Sequence, residues 1–159
     1  MKKVIPVIKS KSKIKYFSDK PTCACKVSVD YLGDKWILVI IRDLFRQRYT
    51  FSQFMKESDE KIATNILTDR LKKLIALEII GYRLNKENKK IKEYYLTDRG
   101  IELYDIIFQL QYWTLAHVDF NFSANTKNWK SLTEKNSREE IIKTFKENYR
   151  AFRNQKFGF

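Results

Sequence analysis

Four glycines and two prolines are all that 159 residues offer for sharp reversals of the backbone. A sandwich or barrel needs many such turns, so a chain this poor in them is expected to be mainly helical. Leu, Ile, Val and the aromatics are plentiful enough to bury a core, which excludes global disorder. The length suits one domain with an appendage. The longest apolar run, Trp36 to Ile41, is far short of a membrane span, so no membrane partner is expected. Cys23 and Cys25 lie too close together to frame a disulfide scaffold, and nothing reads as a secretory signal. A cytoplasmic chain in a bacterial or archaeal cell, associated with the nucleoid, is the expectation.

Periodicity and capping signals divide the chain. Residues 1–22, rich in Lys and Ser with Pro6 and Pro21, read as a mobile basic arm. A short helix covers Cys25 to Leu32 and stops at Gly33, which suits a left-handed cap. Asp34 caps an apolar helix through about Phe45. Thr50-Phe51-Ser52-Gln53 is a capping box that opens a helix to about Glu57. A longer helix spans about Ala63 to Leu77. Two strand-like segments, Ile80 to Leu84 and Ile91 to Leu96, flank the polar turn 85–90. Thr97 then caps a long helix to about Val118. After a polar connector, Ser137-Arg138-Glu139-Glu140 opens a last helix with the stripe Ile141, Phe145, Tyr149, Phe152. The expected organisation is therefore the arm 1–22, a domain over 23–120 and a helical extension over 121–159.

The net charge of +13 demands a partner or an explanation. Residues 1–22 hold seven Lys against one Asp, and residues 121–159 hold nine basic and four acidic side chains. The centre is almost balanced, with sixteen basic and fourteen acidic, yet Arg83 to Lys92 concentrates five basic residues with one acid. Basic flanks around a core that carries a basic hairpin match the electrostatic footprint of a nucleic-acid binder. The plainer explanation is a Lys-rich, solvated surface.

Three helices, a hairpin and a long helix are the element order of a winged helix-turn-helix, mainly α with a two-stranded wing. A helix fits the major groove of B-form DNA, and a hairpin beside it reaches the backbone or minor groove. In the helix 63–77, Ile66, Leu67, Leu71, Leu74 and Ile75 form the packing face. Thr64, Asn65, Thr68, Asp69 and Lys72 fall on the other side and are the candidate base-contacting residues. Arg83, Lys86, Lys89, Lys90 and Lys92 are the candidate wing contacts. Taken alone, that helix is equally an ordinary amphipathic surface element; the Lys-loaded hairpin after it favours DNA.

At this point the sequence resembles a known family. Cys23 stands thirteen residues before Trp36, and Leu32-Gly33-Asp34-Lys35-Trp36, Arg42-Asp43-Leu44, Phe51 and Phe54 follow in order. They continue with Leu67-Thr68-Asp69-Arg70-Leu71-Lys72-Lys73-Leu74, Glu93-Tyr94-Tyr95-Leu96-Thr97, Gly100 and Trp113. Residues 23–113 thus resemble the HxlR-type, MarR-like transcription regulators. The resemblance implies a homodimer paired through terminal helices, with two recognition helices on successive major grooves of double-stranded DNA. It also implies a repressor or, less often, an activator, binding a palindromic operator. The chain departs from the family pattern at Ala24 and Glu78, where a proline and a glycine are usual, at Ala63, where a serine often starts the recognition helix, and in a wing without prolines. The extension 121–159 lies outside the pattern.

The dimer seam is expected along Leu103, Ile106, Ile107, Leu110 and Trp113, an apolar stripe too long for a small monomer to leave bare. In some relatives the cysteine at the position of Cys23 senses oxidants or electrophiles, which makes Cys23 the candidate sensor thiol. Lys20, Lys26 and Lys35 would favour its anion if they fold nearby, and the alternative is a small buried residue at a helix start. Two Cys and one His fall short of a structural zinc site, so neither metal nor cofactor is expected. With no phosphate loop, nucleophile motif or carboxylate pair, an enzyme is not expected either. The rival function is a sequence-blind nucleic-acid binder or a protein-interaction winged helix, separable by sequence preference.

Overall fold

A computed structural model describes residues 8, 9 and 12–159, which fall into two compact units that part between Gly100 and Ile101. In the first unit α1 (Ala24–Leu32), α2 (Lys35–Phe45), α3 (Phe51–Glu57) and α4 (Thr64–Ala76) precede β1 (Ile80–Leu84) and β2 (Lys92–Leu96). The strands pair antiparallel from Ile80 opposite Leu96 to Leu84 opposite Lys92. This is the expected mainly helical chain with a two-stranded wing.

The core is assembled from the apolar face of each element. Ile37, Ile40, Ile41 and Leu44 of α2, Phe54 of α3, Leu67, Leu71 and Leu74 of α4 and Ile80, Tyr95 and Leu96 of the hairpin are all buried. Asp34 starts α2, its Oδ1 accepting from the amides of Trp36 (2.9 Å) and Ile37 (3.2 Å). The Thr50–Gln53 capping box starts α3 as its sequence predicts. Gly81 is required because a Cβ there would meet the Tyr95 hydroxyl at 2.4 Å. Gly100 is stricter still: its Cβ would lie 2.1 Å from the Ile79 carbonyl oxygen, which is backbone and cannot step aside.

The left-handed corners of the first unit fall where no glycine stands. Gly33 has φ −73°, so it is not the left-handed cap its position suggested. Positive φ occurs instead at Gln47 (61°), Lys61 (46°) and Glu78 (53°). After α4 the Ile79 amide donates to Leu74 O (3.0 Å) and the Glu78 amide to Ile75 O (2.9 Å), a Schellman ending with Glu78 at the left-handed position. After α2, Arg48 N to Asp43 O and Gln47 N to Leu44 O, both 3.0 Å, repeat the motif. The helix therefore ends as it would with the family glycine, at a steric cost of about 1 kcal/mol.

Other expectations are corrected. Residues 12–22 are not a free arm: Tyr31 donates to Lys15 O (3.1 Å), Tyr16 donates to Asp30 (2.5 Å), and the Tyr16 and Tyr31 rings meet edge to face at 5.9 Å. Residues 1–7, 10 and 11 of the arm lie outside the described residues. Thr97 Oγ1 accepts from Gly100 N (3.2 Å) and so caps a helix, but that helix, α5 (Asp98–Glu102), stops at Leu103. α6 (Tyr104–His117) is separate, and the polar connector contains a helix of its own, α7 (Ala124–Lys135).

In the second unit α6 is joined by α7 and α8 (Arg138–Phe157). Tyr104 stacks on Phe145 (4.8 Å), and Trp129 tilts against Phe108 (5.1 Å) while donating to the Tyr104 hydroxyl (3.4 Å). Burial pushes the Tyr104 phenol up to about 12. The stripe on α8 is the packed face: Ile141 and Tyr149 are buried, Phe145 and Phe152 half-buried. Lys146 fastens it through Glu102 (2.8 Å) and Asp105.

Two outcomes follow for stability. Glu78→Gly relieves the left-handed corner at the expense of a weak 3.6 Å ion pair with Arg99. It is expected to add about 1 kcal/mol and raise Tm by about 2–4 °C, whereas Glu78→Ala should not. The second concerns acid. Arg42 grips Glu60 with both nitrogens (2.5 and 2.6 Å), holding its carboxyl down to about 2. Arg70 likewise lowers Asp34. A carboxylate lowered on folding stabilises the fold above its ordinary range and loses that contribution as pH falls through its folded value. Urea unfolding should therefore show stability declining from about pH 5 towards pH 2, and Glu60→Gln should flatten that decline.

Candidate nucleic-acid interface

Alternation of buried and exposed positions fixes which side of α4 is free. With Leu67, Leu71 and Leu74 buried, Thr64, Asn65, Asp69 and Lys72 are exposed on the opposite side. At 100° per residue these four and Thr68 lie within one arc of about 140°. Thr68 is half-buried and its hydroxyl donates back to Thr64 O (2.8 Å), so it is left with its methyl and an acceptor oxygen. Ala63 occupies the N-cap without any side-chain bond, and neither Thr64 nor Asn65 replaces it. The first amides of α4 are thus left for an outside acceptor or water.

The orientation of α4 is held by ion pairs behind it. Arg70 reaches Asp34 (2.8 Å), the residue that caps α2, and also Asp69 (2.5 Å). The turn before α4 is held by Arg42, which bridges the buried Asp43 (2.9 Å) and Glu60. Arg48 adds a second cation on Asp43 (3.0 Å). Asp43 Oδ2 is a buried atom with no hydrogen-bond partner among the described residues, so its charge is compensated entirely on the other oxygen.

The hairpin sorts its five predicted cations into two groups. Arg83 is held on the buried carboxylate of Glu93 (2.8 Å), which also accepts from Asn85 Nδ2 (2.9 Å). Lys92 lies over the Tyr82 ring at 4.5 Å, still exposed. Lys86, Lys89 and Lys90 are exposed at the tip and form no ion pair among the described residues. Sequence reasoning counted Arg83 with these because the buried Glu93 that holds it is ten positions away. It also missed the device that shapes the tip. Asn85 Oδ1 accepts from the amides of Glu87 and Asn88 (both 2.9 Å), and Asn88 Oδ1 accepts from Lys90 N (3.1 Å). Two asparagines thus fix the turn in which family wings use proline. A further pairing, Thr50 with Glu93, ties the wing to the start of α3.

The remaining predicted residues are scattered. Cys23 is exposed, not buried, and its sulfur is the N-cap of α1, accepting from Lys26 N at 3.4 Å. Two of the three cations named for it are engaged elsewhere: Lys26 on Asp30 (2.9 Å) and Tyr16 (3.0 Å), and Lys35 over Trp36 (4.9 Å). On α6, Ile106, Leu110 and Trp113 are exposed at spacings of four and three, a single stripe. Ile107 is buried within the chain and Leu103 is half-buried, so Ile107 cannot belong to a free face. Among the described residues no helix is long and apolar enough to cross a membrane.

Comparison with known proteins bears on this arrangement directly. The chain is 26% identical over 95 residues to the uncharacterised HTH-type transcriptional regulator YvaP of Bacillus subtilis, covering 60% of this chain and 87% of that one. The crystal structure of PA1607 superposes with a TM-score of 0.57 at 26% identity, over 65% of this chain and 70% of the other. The redox regulator HypR in its oxidised form gives 0.54 at 25%, over 62% and 100%. The model of the HxlR-like helix-turn-helix matches residues 31–121, more than half of the sequence. The chain therefore belongs to the HxlR-like helix-turn-helix family, whose members are transcription regulators and not enzymes.

Proposed function

We propose that the protein regulates transcription by binding, as a homodimer, a palindromic site in double-stranded DNA. The observation that carries this reading is the pairing of two exposed polar surfaces in one unit, the first engaged at Asp69 by Arg70. The uncapped start of α4 exposes Thr64, Asn65, Asp69 and Lys72. The hairpin that follows exposes Lys86, Lys89 and Lys90 on a fixed turn. In this reading α4 contacts base edges, with Thr68 offering its methyl, and the tip lysines contact phosphates. Arg83 supports the wing from within, and Lys92 lies at its edge. The stripe Ile106, Leu110 and Trp113 supplies the dimer seam with Leu103 beside it, since an exposed apolar row of this kind is normally covered. Ile107 backs that stripe from the interior.

Control of the regulator is assigned to Cys23. The sulfur is accessible and caps α1, so an S-alkylating electrophile reaches it without unfolding the helix. Addition of the thiol to an aldehyde carbonyl forms an S–C bond as the C=O π bond breaks and its oxygen takes up the proton, which places a bulky group where the cap bond stands. Loss of a cap costs roughly 1 kcal/mol of helix stability. That HypR is a redox regulator supports the same reading at 25% identity.

Selection of bound duplexes from random DNA at near-physiological salt tests the proposal, and a palindrome is the expected product. On that duplex, Lys89→Ala with Lys90→Ala should weaken all DNA alike and flatten the salt dependence by about one unit of slope per lost phosphate contact. Asn65→Ala should instead relax one base position, worth roughly 1–3 kcal/mol. Enrichment of no sequence at all would favour the sequence-blind alternative. For the thiol, an electrophilic aldehyde should release wild-type protein from the selected duplex and leave Cys23→Ser bound. Ser is itself a good N-cap, so that variant keeps the helix start. Equal release of both would remove Cys23 from the mechanism.

A further inference from the structure

α7 buries only Trp129, and the packing of that one side chain leaves a space beside it. Thr126 and Trp129, three positions apart, share a face of α7, and Leu110, Gln111 and Thr114 are neighbours on α6. Thr114 and Thr126 are short where a filled helix contact needs larger side chains. The two helices and Phe120 of the connector therefore wall an open recess of about 190 Å³ in the second unit. Its floor is already in place, because Trp129 is held against Phe108 (5.1 Å) and donates to the Tyr104 hydroxyl (3.4 Å). An apolar cavity of about 150 Å³ holds a benzene ring, so this recess has room for one ring or a small fused pair.

The lining decides the chemistry of the occupant. No side chain around the recess is ionisable, so a carboxylate or an ammonium group would be desolvated there without an opposite charge. Most of the polar groups are already committed. Gln111 Nε2 donates to Ile107 O (3.3 Å), Thr114 Oγ1 donates to Leu110 O (2.8 Å), and Thr126 Oγ1 pairs with Ser123 Oγ (3.1 Å). That leaves Gln111 Oε1, which has no hydrogen bond among the described residues, and an amide oxygen only accepts. A partner helix, about 10 Å across, can lie along the stripe Ile106, Leu110 and Trp113 but cannot enter a space of this size. We infer that the recess is a binding site for a small, neutral, flat aromatic molecule carrying one N–H or O–H group. Its ring packs on Trp129 and its donor bonds Gln111 Oε1. Thr126 and Trp129 lie beyond the family match at residues 31–121, so this site belongs in part to the extension. It is separate from Cys23 and does not rest on the DNA-binding reading.

The test is calorimetric titration of the full chain with three probes. Indole supplies the ring and one N–H, benzofuran keeps the bicyclic shape with an oxygen in place of the N–H, and indole-3-carboxylate adds a charge. Indole is expected to bind at one per chain, benzofuran about three- to tenfold more weakly, and the carboxylate at least tenfold more weakly. Gln111→Leu should bind indole and benzofuran alike. Thr114→Phe fills the recess and should abolish binding, with fold and mass checked by thermal melting and sedimentation. Failure of indole to bind the wild type would overturn the site, as would equal affinity for indole and benzofuran there. Discrimination kept by Gln111→Leu, or undiminished binding by a folded Thr114→Phe, would do the same. A wild type that binds no probe, while Thr114→Phe lowers the sedimentation mass, would assign the recess to a side chain of a second copy and overturn it equally. Every readout is taken without DNA, so the site stands or falls separately from the DNA-binding reading.

Discussion

One carboxylate sets the geometry of the first unit. Asp34 closes the amides at the start of α2 with one oxygen and takes Arg70 of α4 with the other. The most buried helix and the helix with the free polar face are thereby tied at one point, and the direction of α4 is decided before any side chain on its outer face matters. The interaction is partly exposed, so its energy alone is modest. Its importance is directional: a helix packed only through Leu67, Leu71 and Leu74 has latitude to roll and slide, and a charged anchor at its midpoint, Arg70, removes it. The Arg42–Glu60 fork does the same for the turn that leads into α4. Asp34 and Arg70, thirty-six positions apart, are both fragments of the motif by which the family is recognised, which gives that pattern a mechanical reason.

Most of this unit was legible in the sequence because its signals are strong and local. Apolar spacing placed α2 and α4, the capping box placed α3, and strand-forming runs around a polar turn placed the hairpin to within a residue. The corners were not legible. Glycine is the usual mark of a left-handed residue, and here Gln47, Lys61 and Glu78 take that conformation while Gly33 does not. The Schellman bonds and the burial of Leu74 and Ile79 on either side of Glu78 outweigh its steric penalty, and no scale of single-residue preference contains those terms.

In the second unit the misses share a cause. α7 buries Trp129 alone and is otherwise polar, so periodicity has one point to work with. The break at Leu103 carries no glycine or proline, and its neighbours read as one continuous helix. α8 was found because four apolar residues recur at helical spacing. For the candidate site, exposure and residue type were legible on α4, but partnership was not. Counting charge in the hairpin could not separate Arg83, paired with a buried acid, from the lysines at the tip.

The asparagine-locked tip has a thermodynamic consequence for anything that docks on the wing. Asn85 and Asn88 hold the turn by accepting from the backbone amides of Glu87, Asn88 and Lys90 with their side-chain oxygens, so the entropy of ordering that loop is lost when the chain folds and not when a complex forms. Only the stems of the lysines remain to be immobilised on contact. The loop is pre-organised by side-chain hydrogen bonds, without the fixed φ of a proline.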